Sequence, residues 1–336
     1  MNKNRILLAA GLALSLLSTQ VVAQAPQEVR YQEYPGSIIH LVNWAMNEKG
    51  FCARQKITCS PVFLASGPLA QQAAAAGSVD IIFSSIDVMM QAVAKGNDLM
   101  VLGAQITNNI YSLSAGAHVP RPNAAAGYPG NMRDLKGRKI GVSARGSGTE
   151  MYVKSLLSGA GMEPDSVIYV AVGSPNTAFA ALAAKQVDAV LSWDPVPAMC
   201  AGSGVCKVMV DMRKGEGPPE VAAMNGGFVT YQARREYVEK NGPAIDAFLR
   251  ASAEATVWTK DPKNFPAVME LAKAHFKLGD MPNREQILEQ IVKDAVGGMG
   301  TGFDRKVING FNDFLIKNKV LDKPLSADAI VYKKAP

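Results

Sequence analysis

Residues 61–88 read PVFLASGPLAQQAAAAGSVDIIFSSIDV, and residues 169–196 read YVAVGSPNTAFAALAAKQVDAVLSWDPV. Displaced by 108 positions, the two stretches share 10 of 28 residues without a gap, among them Ser66/Ser174, Val79/Val187, Asp80/Asp188 and Ser84/Ser192. Several matches are alanine, which discounts the score, but the order of features is the same in both. Each copy has a short apolar strand, a Ser-containing turn and an alanine-rich helix. A Val-Asp step then leads into a second strand that ends on serine. Ile81–Phe83 and Ala189–Leu191 are continuously apolar, as buried parallel strands are. Upstream, Tyr34-Pro35-Gly36-Ser37 and Ala144-Arg145-Gly146-Ser147 each follow a strand-like stretch and precede a helix. The pattern predicts an α/β protein with two lobes of one βαβ design, each around an open sheet.

Composition agrees with two ordered lobes. With 48% hydrophobic and 19% charged residues over 336 positions, a disordered chain is excluded and two cores are affordable. The formal charge of +6 is mild and no dense basic run occurs, so nucleic acid is not an expected partner. His40, His118 and His275 are far apart, which argues against a metal centre; no cofactor is expected. Lys3 and Arg5 precede an apolar run from Ile6 to Leu17, followed by Val21-Val22-Ala23, the layout of a secretory signal over residues 1–23. The run is too short to span a bilayer. An exported, soluble product is expected, cut after about Ala23.

In an oxidising compartment the four cysteines can pair in three ways. The local pairs Cys52–Cys59 and Cys200–Cys206 are favoured, since each would tie a helix to the following strand. Free thiols and zinc are the rival readings; neither pair has CxxC spacing and no histidine lies beside them. Beyond about Glu236 the chain turns helical, over 243–259, 266–278, 284–296 and 303–318. This stretch is expected to pack back on the first lobe. The division is then 24–114 plus 228–336 for lobe I and 115–227 for lobe II, with crossings near Leu113–Ala117 and Gly226–Thr230.

DLKGRKIGV at 134–142 resembles the DLKGKKIGV segment of ABC-transporter substrate-binding proteins. Ala-Ala-Gly-Ser-Val-Asp at 75–80, Lys-Gln-Val-Asp-Ala at 185–189 and WAMNEKGF at 44–51 resemble further steps of that group. The order and spacing are most similar to the nitrate/sulfonate/taurine family of periplasmic binding proteins, over roughly residues 28–275. The resemblance implies a two-lobed venus-flytrap fold, type II-like, in the periplasm. It also implies that a small organic anion is captured and delivered to an ABC permease in the inner membrane. A monomer without enzymatic activity is expected. Alternatives are binding or synthesis of a thiamine-pyrimidine-like compound, or a sensory ligand-binding protein. The cysteine pairs depart from the family, and no cysteine-rich loop of the pyrimidine-making relatives is present.

In open α/β sheets, ligands sit outside the carboxyl ends of the strands, near helix N-termini. That rule selects Tyr34, Gly36 and Ser37, Ser84 and Ser85, and the second-strand turns with Ser66, Ser174 and Asn176. Gly146, Ser147, Gly148 and Thr149 open a helix after a strand, where N–H groups and the helix dipole favour an anionic head. Arg145 is expected to pair with that head. Tyr34, Tyr111 and Trp193 are candidate aromatic walls. Asp87 and Asp194 read as helix caps before ligand contacts; Asp194 would hold the amine if the ligand were a zwitterion. No GxSxG elbow or HExxH motif occurs.

Overall fold

The computed structural model describes residues 26–222, 224–276, 278 and 283–335; the export segment read over 1–23 lies outside them. The first lobe begins with β1 (Gln27–Glu33), α1 (Leu41–Glu48), α2 (Phe51–Arg54) and β2 (Ile57–Phe63). It continues through α3 (Gly67–Ala75), β3 (Ile82–Ser85), α4 (Ile86–Ala94) and β4 (Leu99–Ile106). The second lobe comprises β5 (Ser112–Gly116), β6 (Lys139–Val142), α5 (Gly148–Gly159), β7 (Ile168–Ala171), α6 (Pro175–Ala183), β8 (Ala189–Ser192), α7 (Val196–Ser203) and β9 (Cys206–Asp211). After α8 (Pro219–Ala222) the chain returns through β10 (Val229–Arg234) and α9 (Arg235–Lys240). Four longer helices follow: α10 (Gly242–Lys260), α11 (Phe265–His275), α12 (Arg284–Gly298) and α13 (Val307–Lys317).

The Val-Asp step of the repeat does the same work in both lobes. Asp80 accepts the Arg30 backbone N–H at 2.9 Å and also holds its guanidinium, while Asp188 accepts the Lys139 backbone N–H at 2.8 Å. Each aspartate therefore ties the end of its alanine-rich helix to the first strand of its own unit. The strands are parallel where the repeat predicts it: β1 with β2, and β6 with both β7 and β8. Antiparallel pairs nevertheless occur in both lobes. Returning strand β10 lies antiparallel between β3 and β4, and entering strand β5 lies antiparallel between β8 and β9. The reason is directional, because crossing strands start at the edge facing the other lobe, toward which the repeat strands run.

Because β5 already pairs inside the five-stranded sheet, the first crossing lies at 107–111, ahead of Leu113–Ala117. The two crossings touch each other: Thr107 O accepts the N–H groups of Gly226 and Gly227 at 2.8 and 3.0 Å. Both glycines have positive φ, +113° and +151°, and a Cβ on Gly227 would lie 2.6 Å from the Phe303 ring. Only glycine fits there without displacement.

The C-terminal helices cover lobe I, as α10 packs on α1 and α2 with Phe248 against Tyr31 and Tyr231. They reach further than the sequence reading expects. On α13, Phe314 stacks on Tyr152 of α5 at 5.1 Å, and α12 packs against α7, so this segment touches lobe II as well.

Both local disulfides are formed, Cys52–Cys59 from α2 into β2 and Cys200–Cys206 from α7 into β9. Closing loops this short is worth about 2–3 kcal/mol each in the chain-entropy picture. Denaturant unfolding of the Cys52→Ser/Cys59→Ser variant is expected to show a loss of about that size. An unchanged midpoint would mean that the bridge adds nothing to stability.

Candidate ligand-binding site

The carboxyl ends of β1 and β3 face those of β6 and β8 across the line between the lobes. The Tyr34–Ser37 loop is held from beneath by His40, whose Nε2 accepts the Tyr34 N–H at 2.7 Å. Burial pushes the His40 pKa down to about 3, so the ring stays neutral and able to accept. This anchor is absent from the sequence reading, because a histidine at the start of a helix carries no signal of what it supports.

Four contacts shut the cleft. Trp193 Nε1 donates to Ser37 Oγ at 2.7 Å. The Trp193 ring meets Tyr34 edge-on at 5.3 Å and Tyr111 at 6.0 Å. Gly36, at φ +67°, lies so close to α6 that a Cβ there would fall 1.8 Å from Asn176 Nδ2. Between them a cavity of about 20 Å³ remains, lined by Tyr34, Gly67, Ser84, Ser85, Ser147, Gly148 and Trp193 among others. A larger cavity of about 290 Å³ adjoins it, sharing Ile39 and Ile110, with Asn108, Asn109, Asp194, Arg213 and Asp294 in its walls. Three helices begin at or beside the smaller cavity: α3 at Gly67, α4 after Ser85 and α5 at Gly148.

The expected site residues divide into those that reach the cleft and those that do not. Tyr34, Ser84, Ser85, Tyr111, Ser147, Gly148 and Trp193 line it, and Ser37, Gly36 and Asn176 close it. Ser66 is occupied as the N-cap of α3, its Oγ accepting the Leu69 N–H, and Ser174 sits buried at the N-cap position of α6. Thr149 Oγ1 accepts the Ser143 N–H at 2.8 Å and bonds the Ser147 hydroxyl, which stabilises the turn.

Arg145 must be corrected. It turns to solvent, 62% exposed, and pairs with Glu150 at 2.9 Å over the Tyr169 ring. Glu150 also accepts the Gly146 N–H, and Ser147 accepts the Glu150 N–H. Burial opposes the Glu150 charge, but Arg145 and Lys154 outweigh it and hold its pKa at about 2. The Ser147-x-x-Glu150 spacing is a capping box, and it captures the arginine. Asp194 is likewise spoken for, since Arg213 bonds it at 2.8 Å while also holding Asp211.

Asp87 is the residue the sequence reading undervalues. Ser85 takes the N-cap position, and Asp87 lies in the first turn of α4, wholly buried. Neither carboxylate oxygen has a hydrogen-bond partner of ordinary geometry. Oδ2 lies 2.7 Å from where a Cβ on Gly148 would sit, with Ser85 Oγ and Tyr111 OH 3.3 Å from the same point. Burial raises its pKa from 3.8 to about 6, tempered by the Ser85 hydroxyl and nearby backbone N–H groups. That shift corresponds to a cost on the order of 3 kcal/mol for the ionised form. Once ionised, Asp87 therefore lowers the stability of the fold.

Two lobes with opposed strand ends, joined by paired crossings and closed over a serine- and aromatic-lined cleft, define a two-lobed α/β fold. The NMT1/THI5-like family model matches residues 40–264, so the chain belongs to that family. A Brucella abortus (strain 2308) protein, provisionally named a binding protein, is 28% identical over 96% of this chain and 95% of its own. The alkanesulfonate-binding protein SsuA from Xanthomonas axonopodis pv. citri, solved with MOPS, superimposes with TM-score 0.70 at 19% identity, covering 92% of this chain and 99% of that one. The periplasmic nitrate-binding protein NrtA from Synechocystis PCC 6803 gives TM-score 0.68 at 16% identity over 91% and 86%. The fold is that of the periplasmic binding proteins that serve ABC importers.

Two outcomes are expected. A methyl at Gly148 meets Asp87, so Gly148→Ala should hold the lobes apart and expose Trp193, shifting its fluorescence to the red relative to wild type. An unshifted spectrum would show that the cleft tolerates the methyl. The cost of Asp87 appears as pH rises from about 4 to about 6, because its folded pKa lies above the ordinary value. The gain in Tm of Asp87→Asn over wild type should be near zero at the acid end, grow through that window and then level off. A gain independent of pH would locate the effect elsewhere.

Proposed function

We propose that this chain is the solute-binding component of an ABC importer, exported to the periplasm, where it captures a small organic solute bearing an acidic group and presents the closed form to a permease. Residues before 107 and after 228 make up the first lobe in this reading, 112–211 the core of the second, and the crossings the hinge. The observation that carries it is the convergence of the α3, α4 and α5 N-termini on one closed cleft. Helix N-termini offer unpaired N–H groups and partial positive charge, so they receive an anion without a cationic side chain. Serine hydroxyls and the Tyr34, Tyr111 and Trp193 rings would complete the recognition of an organic body. The sulfonate- and nitrate-binding neighbours support the same class of head group.

Closure is a population shift, and the solute must touch both lobes to drive it. Thermal-shift titration of the full chain with alkyl sulfonates, carboxylates and nitrate is the test. Saturable stabilisation by one class is expected, about 2.7 kcal/mol at a hundredfold excess over Kd, with the compound recovered unchanged. Chemical conversion of the compound, or no stabilisation by any acid, would contradict the proposal.

A further inference from the structure

Beside the closed cleft lies a wholly buried carboxylate, Asp87, with no cation among the described residues to answer it. The surrounding cations are all engaged elsewhere: Arg145 and Lys154 with Glu150, and Arg213 with Asp194 and Asp211. Asp87 has no ion pair among the described residues; the Ser85 hydroxyl and the first backbone N–H groups of α4 lie near enough to favour its charge, but neither oxygen makes a hydrogen bond of ordinary geometry. The titratable groups facing it are Tyr34 at the end of β1, Tyr111 at the crossing and Tyr152 on α5. Burial raises the pKa of all three phenols, so each stays neutral.

Such a carboxylate is costly to bury and is tolerated where a ligand supplies the missing donors. Its geometry points the same way. Asp87 Oδ2 lies against the first residue of α5 across the cleft, close to the Ser85 and Tyr111 hydroxyls. A neutral asparagine or serine would suffice for a plain organic anion, and a carboxylate beside an anionic head would repel it.

We infer that Asp87 is the specificity determinant of the cleft and receives the protonated amine of a small zwitterion, whose acidic group lies toward the helix N-termini. An ammonium donates up to three N–H bonds and can be shared by Asp87, Ser85 and the Tyr111 hydroxyl. Ethanesulfonate-type and propionate-type skeletons then differ from their amino counterparts by one buried charge pair. This rests on the reading that solute binds between the lobes, and it adds what that solute carries.

The test is calorimetric titration of the full chain with matched probes: taurine against isethionate and ethanesulfonate, and β-alanine against propionate. The amino member of at least one set is expected to bind about tenfold or more tightly than its partners. Asp87→Asn should erase that preference while leaving the deaminated partners no weaker. Affinity for the amino member should fall as pH drops through about 6, because protonation of Asp87 removes the acceptor. Deaminated members that bind as well as or better than amino ones would overturn the amine assignment and leave the anion reading standing. So would a preference that survives Asp87→Asn, or affinity that rises in acid. Silence across every probe, with the same silence in the wider acid screen, would overturn both.

Discussion

The rest of this molecule follows from the constraint that two lobes turn the carboxyl ends of their parallel strands toward each other. The paired crossings, with Thr107 bonded to Gly226 and Gly227, hold that opposition in place. Each βα connection must then begin its helix at the shared line. The partial positive ends of α3, α4 and α5 gather there as a consequence of topology. An electropositive interior is thereby built from backbone, and the arginines nearby are consumed by structural ion pairs.

Against that field the placement of Asp87 is the informative departure. A carboxylate in a first helical turn is ordinary, and on an exposed helix it would stabilise. Here burial outweighs the dipole, so the residue, once ionised, lowers the stability of the fold. The latch across the cleft is modest, since the Trp193–Ser37 hydrogen bond is worth about 1 kcal/mol net and the Trp193–Tyr34 ring contact about as much again. Closure without solute thus sets a small gain against the burial of Asp87. A compound that satisfies the carboxylate and bridges the lobes changes the balance by removing a penalty as well as adding contacts.

Much of the fold was legible because the repeat exposes it. The Val-Asp steps, alanine-rich helices and Ser-ended strands recur in order, and the disulfides close over the helix–strand junctions where proximity predicts them. Strand pairing was less legible, since β5 and β10 resemble their neighbours in composition and only their direction of travel makes them antiparallel. The site divided along similar lines. Small and aromatic residues at strand ends fell into the cleft, as a backbone rule would place them. Arg145 did not, although its capping box was present in the sequence: Glu150, three residues after Ser147, draws it outward. Sequence alone makes Asp87 a cap, because it shows the position in a helix and not the burial. His40 carries no signal for the same reason.

The central claim is that the described cleft is the solute site and that filling it favours the closed lobes. Small-angle X-ray scattering of the full chain, with and without saturating solute chosen by titration, tests it most directly. The account expects the radius of gyration to fall on binding and the saturated profile to match the closed arrangement described here. A saturated chain whose profile does not change, or expands, would contradict it.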